Sequence, residues 1–93
     1  MVFFQGWKTK VDEGVSVHYV GPFTFEYRDG DRRLLVETER LGKRPNRLIF
    51  AQSIKQWEPP HETEPISDEK RHEIATKVGQ FFRNNGKDFE IQW

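Results

Sequence analysis

Val15, Val17 and Tyr19 alternate with Ser16, His18 and Val20, a period of two that predicts a short strand. Gly21-Pro22 interrupts it, because proline cannot donate to a ladder and glycine invites a bend. Phe23, Phe25 and Tyr27 then alternate with Thr24, Glu26 and Arg28, ahead of Asp29-Gly30, a pair suited to a tight turn with positive φ. With those two residues as the turn, Arg28 faces Asp31, Glu26 faces Arg33, Phe25 faces Leu34 and Phe23 faces Val36. Apolar residues meet on one face of this hairpin and opposite charges on the other. A one-residue slip sets Arg28 against Arg32 and breaks the apolar pairing.

Leu41 to Asn46 reads as a loop, and Arg47 to Ala51 as a further, more continuously apolar strand. A short turn is expected over Ser53 to Trp57. Glu58 to Pro65 holds three prolines in eight residues and reads as an extended connector. Ser67 is placed to cap a helix, with Asp68 and Glu69 at its positive end. Lys70 stands where Glu or Gln would complete a capping box. Ile74, Val78, Phe81 and Phe82 form one apolar stripe with Ala75 beside it, and Asn84-Asn85-Gly86 supplies the stop. Phe89, Ile91 and Trp93 alternate with Asp88, Glu90 and Gln92 in a last strand. The order β-β-β-β-α-β predicts an α+β fold: an antiparallel sheet of about four strands with one helix packed on its apolar face. Residues 1–14 show no clear period and carry no assignment. Their aromatics Phe3, Phe4 and Trp7 fit either the core or a dimer contact, so the oligomeric state stays open.

A chain of 93 residues allows one domain over 1–93, and 24 of them are Leu, Ile, Val or Phe, enough for a thin core. Without cysteine there is no disulfide framework, no thiolate nucleophile and no cysteine-based metal site. A small secreted domain would often carry disulfides, so a cytoplasmic location is expected. No apolar run approaches the roughly 18 residues that span a bilayer, and Met1 to Trp7 lacks the pattern of a signal peptide. The 15 basic and 15 acidic residues balance, which argues against generic binding to nucleic acid or anionic membranes.

Charge is nevertheless segregated along the chain. Arg40, Lys43, Arg44 and Arg47 fall together without an acid among them. Glu58, Glu62, Glu64, Asp68 and Glu69 fall together without Lys or Arg. His18, His61 and His72 show no metal-ligand spacing, and Ser53 and Ser67 lack the glycines of a nucleophile elbow. Glu37 and Glu39 share a strand face, but nothing in the sequence buries either one to raise its pKa. No cofactor, metal or catalytic residue is therefore assigned, and no enzyme is expected. Trp57 leaves two readings open: a cap on the core where the chain leaves the sheet, or an exposed aromatic anchor for a partner.

Four spaced pieces, taken together, point further. They are Tyr27-Arg28-Asp29-Gly30-Asp31-Arg32, Val36-Glu37-Thr38-Glu39, Ser53-Ile54-Lys55-Gln56-Trp57-Glu58-Pro59-Pro60-His61 and Ile66-Ser67-Asp68-Glu69-Lys70-Arg71. In this order they resemble the small α+β immunity proteins of bacterial polymorphic toxin systems, in particular the immunity protein 74-like family. The resemblance covers roughly residues 22 to 92, and the Ser-Ile-x-x-Trp-Glu-Pro-Pro stretch is its sharpest element. It implies inhibition of a cognate toxin by direct binding, without catalysis. Trp57, Glu58 and Pro59 are carried over as motif positions. Nuclease toxins are usually basic, so the acidic segment of Glu58, Glu62, Glu64, Asp68 and Glu69 is the expected partner-binding surface. The alternatives are a small nucleic-acid-binding module using Arg40, Lys43, Arg44 and Arg47, and a housekeeping domain without a specific partner.

Overall fold

The computed structural model describes residues 6–93. Phe3 and Phe4 lie outside the described residues. In chain order the elements are β1 (Lys10–Asp12), β2 (Val15–Gly21), β3 (Thr24–Asp29), β4 (Arg32–Arg40), β5 (Arg47–Phe50), a 3-10 turn (Ala51–Ser53), α1 (Asp68–Asn84) and β6 (Phe89–Gln92). The α+β class is as expected. The sheet is larger, with six strands in the sequence order β1-β2-β3-β4-β5-β6. Neighbours from β1 to β5 are antiparallel, while β5 and β6 run parallel. Helix α1 supplies the crossover that parallel strands require. The long strand β4 pairs with β3 over Thr24 to Asp29 through its first half and with β5 through Thr38, Glu39 and Arg40. This division lets the sheet curl around the helix.

The strands bury alternate residues, as their period demands. Val15 and Val17 of β2, Phe25 and Tyr27 of β3, Leu34 and Val36 of β4 and Ile49 of β5 are all buried. Helix α1 meets them with Ile74, Ala75, Val78, Phe81 and Phe82, the predicted stripe. The Ser67 hydroxyl accepts a hydrogen bond from the Lys70 amide at 3.0 Å, and Gly86, at φ +76°, follows the helix end. Both ends of α1 were therefore legible in the sequence.

The hairpin register differs from the expected one by two residues. Asp29 pairs with Arg32, Tyr27 with Leu34 and Phe25 with Val36. The turn residues are thus Gly30-Asp31, not Asp29-Gly30. Gly30 has φ +63°, and no residue other than glycine has positive φ among the described residues. That is the sign pattern of a type II′ turn, which places glycine first and spares aspartate the left-handed region. An even shift keeps every side chain on its face, so alternation cannot distinguish the two registers. The arrangement sets Arg28 opposite Arg33, and the Arg28 guanidinium bonds Glu26 on its own strand.

Phe23 was expected in the core opposite Val36, and it is 54% exposed. The β2–β3 pairing ends at Gly21 and Thr24, so Pro22 and Phe23 are the turn itself. A turn residue cannot direct its ring beneath the sheet. Tyr19, on the same alternation as Val15 and Val17, is half exposed and lies parallel to Trp7 at 6.3 Å between ring centroids.

Gly79 sits where α1 crosses β6. A Cβ there would lie 2.4 Å from the Phe89 ring. Alanine would gain about 1 kcal/mol of helix propensity, but overpacking costs about 1–3 kcal/mol. Gly79→Ala is therefore expected to destabilise the fold by about 1 kcal/mol, measured by thermal unfolding. A stabilised variant would show that Phe89 moves aside freely.

Candidate functional site

The connector between the 3-10 turn and α1 is held down at three places. Ile54 is fully buried, Trp57 is 4% exposed, and Ile66 packs against the core at the far end. Trp57 thus takes the first of its two readings: it is part of the core, with its ring 6.4 Å from that of Tyr27. The backbone beside it is fastened to β4, since the Glu58 amide donates to the Arg33 carbonyl at 2.7 Å. Two further turns follow, with the His61 amide donating to Glu58 and the Glu64 amide to His61, each at 3.0 Å. From the helix side, Arg71 Nε donates to the Ile54 carbonyl at 3.0 Å.

Side chains complete the attachment. Arg32, next to the hairpin turn, donates to Glu64 through Nε at 2.9 Å and approaches it through Nη2 at 2.8 Å. His61 Nδ1 lies 2.6 Å from Glu64 Oε2, and His61 Nε2 lies 3.4 Å from Asp31 Oδ2. Lys70 bridges Glu73 at 2.7 Å and Asp29 at 3.3 Å. Asp29, Arg32, Trp57, Glu64, Pro65 and Lys70 line a small cleft of about 320 Å³ between hairpin and connector.

These contacts set the protonation of the clamp. Hydrogen bonds from Arg32, then from His61, hold the Glu64 carboxyl below the usual carboxylate range. The Glu73 carboxylate, then Asp29, raises Lys70 above its ordinary value against the effect of burial. A carboxyl depressed in the folded state contributes stability that is complete above its unfolded value of about 4.3. That contribution is lost as pH falls through the lower folded value. The connector is therefore expected to stay clamped at neutral pH and to loosen below about pH 4. Faster amide exchange at His61 and Glu64, ahead of the α1 amides, would report it. Simultaneous loss of both would show that the clamp has no separate titration.

The partner residues expected from the sequence divide into groups. Glu62, Asp68 and Glu69 are exposed, as is Pro59, while Glu58 and Glu64 are half-buried. Asp68 pairs with Arg71 on the next turn of the helix. Among the described residues, Glu58, Glu62 and Glu69 form no ion pair. The acidic run is thus less uniform in space than in sequence, because Arg32, Lys70 and Arg71 stand among its members. Arg32 and Asp31 were missed by sequence reasoning. Their partners lie some thirty residues away, and only the folded hairpin brings them together.

The basic segment changes more. Lys43 and Arg44 are exposed, and Arg44 pairs with Asp88. Arg47 opens the strand as expected, but it does not join Arg40, Lys43 and Arg44 on an exposed surface: it is 6% exposed and points to the same side of β5 as Ile49. Its guanidinium carbon lies 5.2–5.7 Å from the ring centroids of Phe82, Phe25 and Trp7. A planar, weakly hydrated guanidinium suits such an aromatic layer better than an ammonium would. Four cations therefore do not make one surface.

The family model described as Immunity protein 74 matches residues 20–92. The chain belongs to the immunity protein 74 family. The match spans the end of β2 through β6 and so includes the hairpin, the whole clamped connector and α1. In this immunity protein 74 family member, β1 and Trp7 lie ahead of the matched region. No curated protein and no solved structure gives a significant match. No helix among the described residues is long and apolar enough to cross a membrane.

Proposed function

We propose that this domain neutralises a cognate bacterial toxin by binding it directly, without catalysis. The observation that carries this reading is the family match over residues 20–92. The docking surface is the clamped connector and the start of α1: Glu58, Pro59, Glu62, Glu64, Asp68 and Glu69, with Trp57 beneath them as the anchor. Its backbone is tied to β4 and the Glu64 side chain to the hairpin. A partner that meets a segment already held in shape loses less ordering entropy on binding. The exposed Glu62 and Glu69 and the half-buried Glu58, none of them in an ion pair among the described residues, leave charge free to steer a basic partner.

The test uses a candidate toxin sought among the neighbouring genes. The triple variant Glu58→Lys, Glu62→Lys and Glu69→Lys is expected to associate with it at least about tenfold more slowly at low salt. The salt dependence of association should fall in parallel, with thermal stability nearly unchanged because these side chains are solvated. Unchanged association rates would remove the acidic surface from the account. The nucleic-acid reading is less well supported, since Arg47 is buried and Arg44 is paired with Asp88.

A further inference from the structure

On another part of the molecule, Trp7, Tyr19, Pro22, Arg40, Arg47 and Lys87 line a cleft of about 420 Å³. Three of these six residues are cations and none is an acid. Arg47 is the unusual member, a residue only 6% exposed and without an ion-pair partner among the described residues. The undescribed residues Met1-Val2-Phe3-Phe4-Gln5 include no acid, so their side chains cannot supply the missing carboxylate. Of its five N–H donors, one is used within the described residues, by Nη1 to the Pro22 carbonyl at 3.2 Å. Burial, then the like charge of Arg40, pushes Arg47 below its ordinary pKa. Burying a charge is costly unless it is paired, and three aromatic rings compensate only in part.

We propose that this cleft is a binding site for an apolar carboxylate, a ligand with one anionic head on a body of roughly one aromatic residue. The volume falls at the small end of ligand pockets. Arg47 offers the planar fork that fits a carboxylate, and Arg40 and Lys87 add charge at the rim. Trp7, Tyr19 and Pro22 form the apolar wall. Lys87 Nζ also lies 5.9 Å from the Trp7 ring centroid, so cation and wall adjoin. The site is separate from the connector and does not rest on the toxin reading.

The test is an NMR titration of the full chain with N-acetyl-phenylalanine, its neutral amide, and inorganic phosphate. The acid is expected to cause saturable shifts at the Trp7 indole and the Lys87 amide. The neutral amide should bind at least about tenfold more weakly, having lost the charge-assisted hydrogen bonds. Phosphate should also be weaker, because it lacks the apolar body. Arg47→Met is expected to fold with a melting temperature at or above the parent's and to lose binding, as when a buried charge is replaced by an apolar side chain of similar size. The surface pair Arg40→Gln and Lys87→Gln should weaken binding about tenfold without altering the fold, and it decides the matter if Arg47→Met does not fold. No saturable shift, equal binding of acid and amide, phosphate as tight as the acid, or full binding by the surface double variant would each overturn the proposal.

Discussion

Phe25→Ala is expected to lower the unfolding free energy by about 3–5 kcal/mol, the usual range for deleting a buried aromatic ring. Phe25 is fully buried at the meeting point of sheet and helix. Its ring centroid lies 5.0 Å from Phe82, 5.5 Å from Phe81 and Trp7 and 5.7 Å from Tyr19, mostly edge-on. Such pairs add about 0.5–1.5 kcal/mol each beyond area burial. The Arg47 guanidinium rests on the same ring at 5.5 Å, so truncation also uncovers a buried charge. A domain of this size has a total stability of about 5–14 kcal/mol, so the loss removes a large share of it. Urea denaturation should show a much lower midpoint with an unchanged slope. Phe25→Leu, which keeps most of the volume, should lose less than half as much. A wild-type midpoint for the alanine variant would mean that the aromatic layer is not the core.

Trp57→Ala should have an effect of similar size, about 3–5 kcal/mol, with a local signature of its own. Trp57 is the largest anchor between the sheet and the connector, and the Glu58–Arg33 backbone bond lies next to it. Its removal leaves Ile54 and Ile66 holding the ends while the intervening segment loses its centre. Amide exchange at Glu58, His61 and Glu64 should accelerate more than exchange in α1. Limited proteolysis should cut between Glu58 and Pro65. Trp57→Phe should preserve much of both properties. A solvent-facing tryptophan would cost only about 0.5 kcal/mol to remove, so the magnitude alone separates the two placements.

The contrast between legible and hidden features follows from the kind of information each requires. The α1 stripe, its Ser67 cap and its Gly86 stop are local, and the sequence specifies them within a few residues. The alternation in β2, β3 and β4 identifies strands and faces but not absolute register, so a two-residue offset passed every test of pairing chemistry. Edge strand β1 has three residues and an irregular pairing with β2, too short for a period to emerge. The parallel direction of β6 depends on where α1 returns the chain, which alternation does not encode. Arg47 did carry a signal: two residues before Ile49 on a strand, it had to face inward. Its charge, set beside Arg40, Lys43 and Arg44, argues for solvent, and the three rings that receive it come from elsewhere in the sequence. For the same reason the candidate surface was only half legible. The acidic run could be read directly, whereas the clamp from Asp31 and Arg32 exists only in the fold.

The most direct test of the central claim is amide hydrogen exchange on the free domain and on its mixture with the toxin it is proposed to neutralise. The expected result is a stoichiometric complex in which toxin activity is lost and protection rises across residues 58–69. Failure to form a complex, or a neutralising complex whose protection lies wholly outside that segment, would contradict the claim.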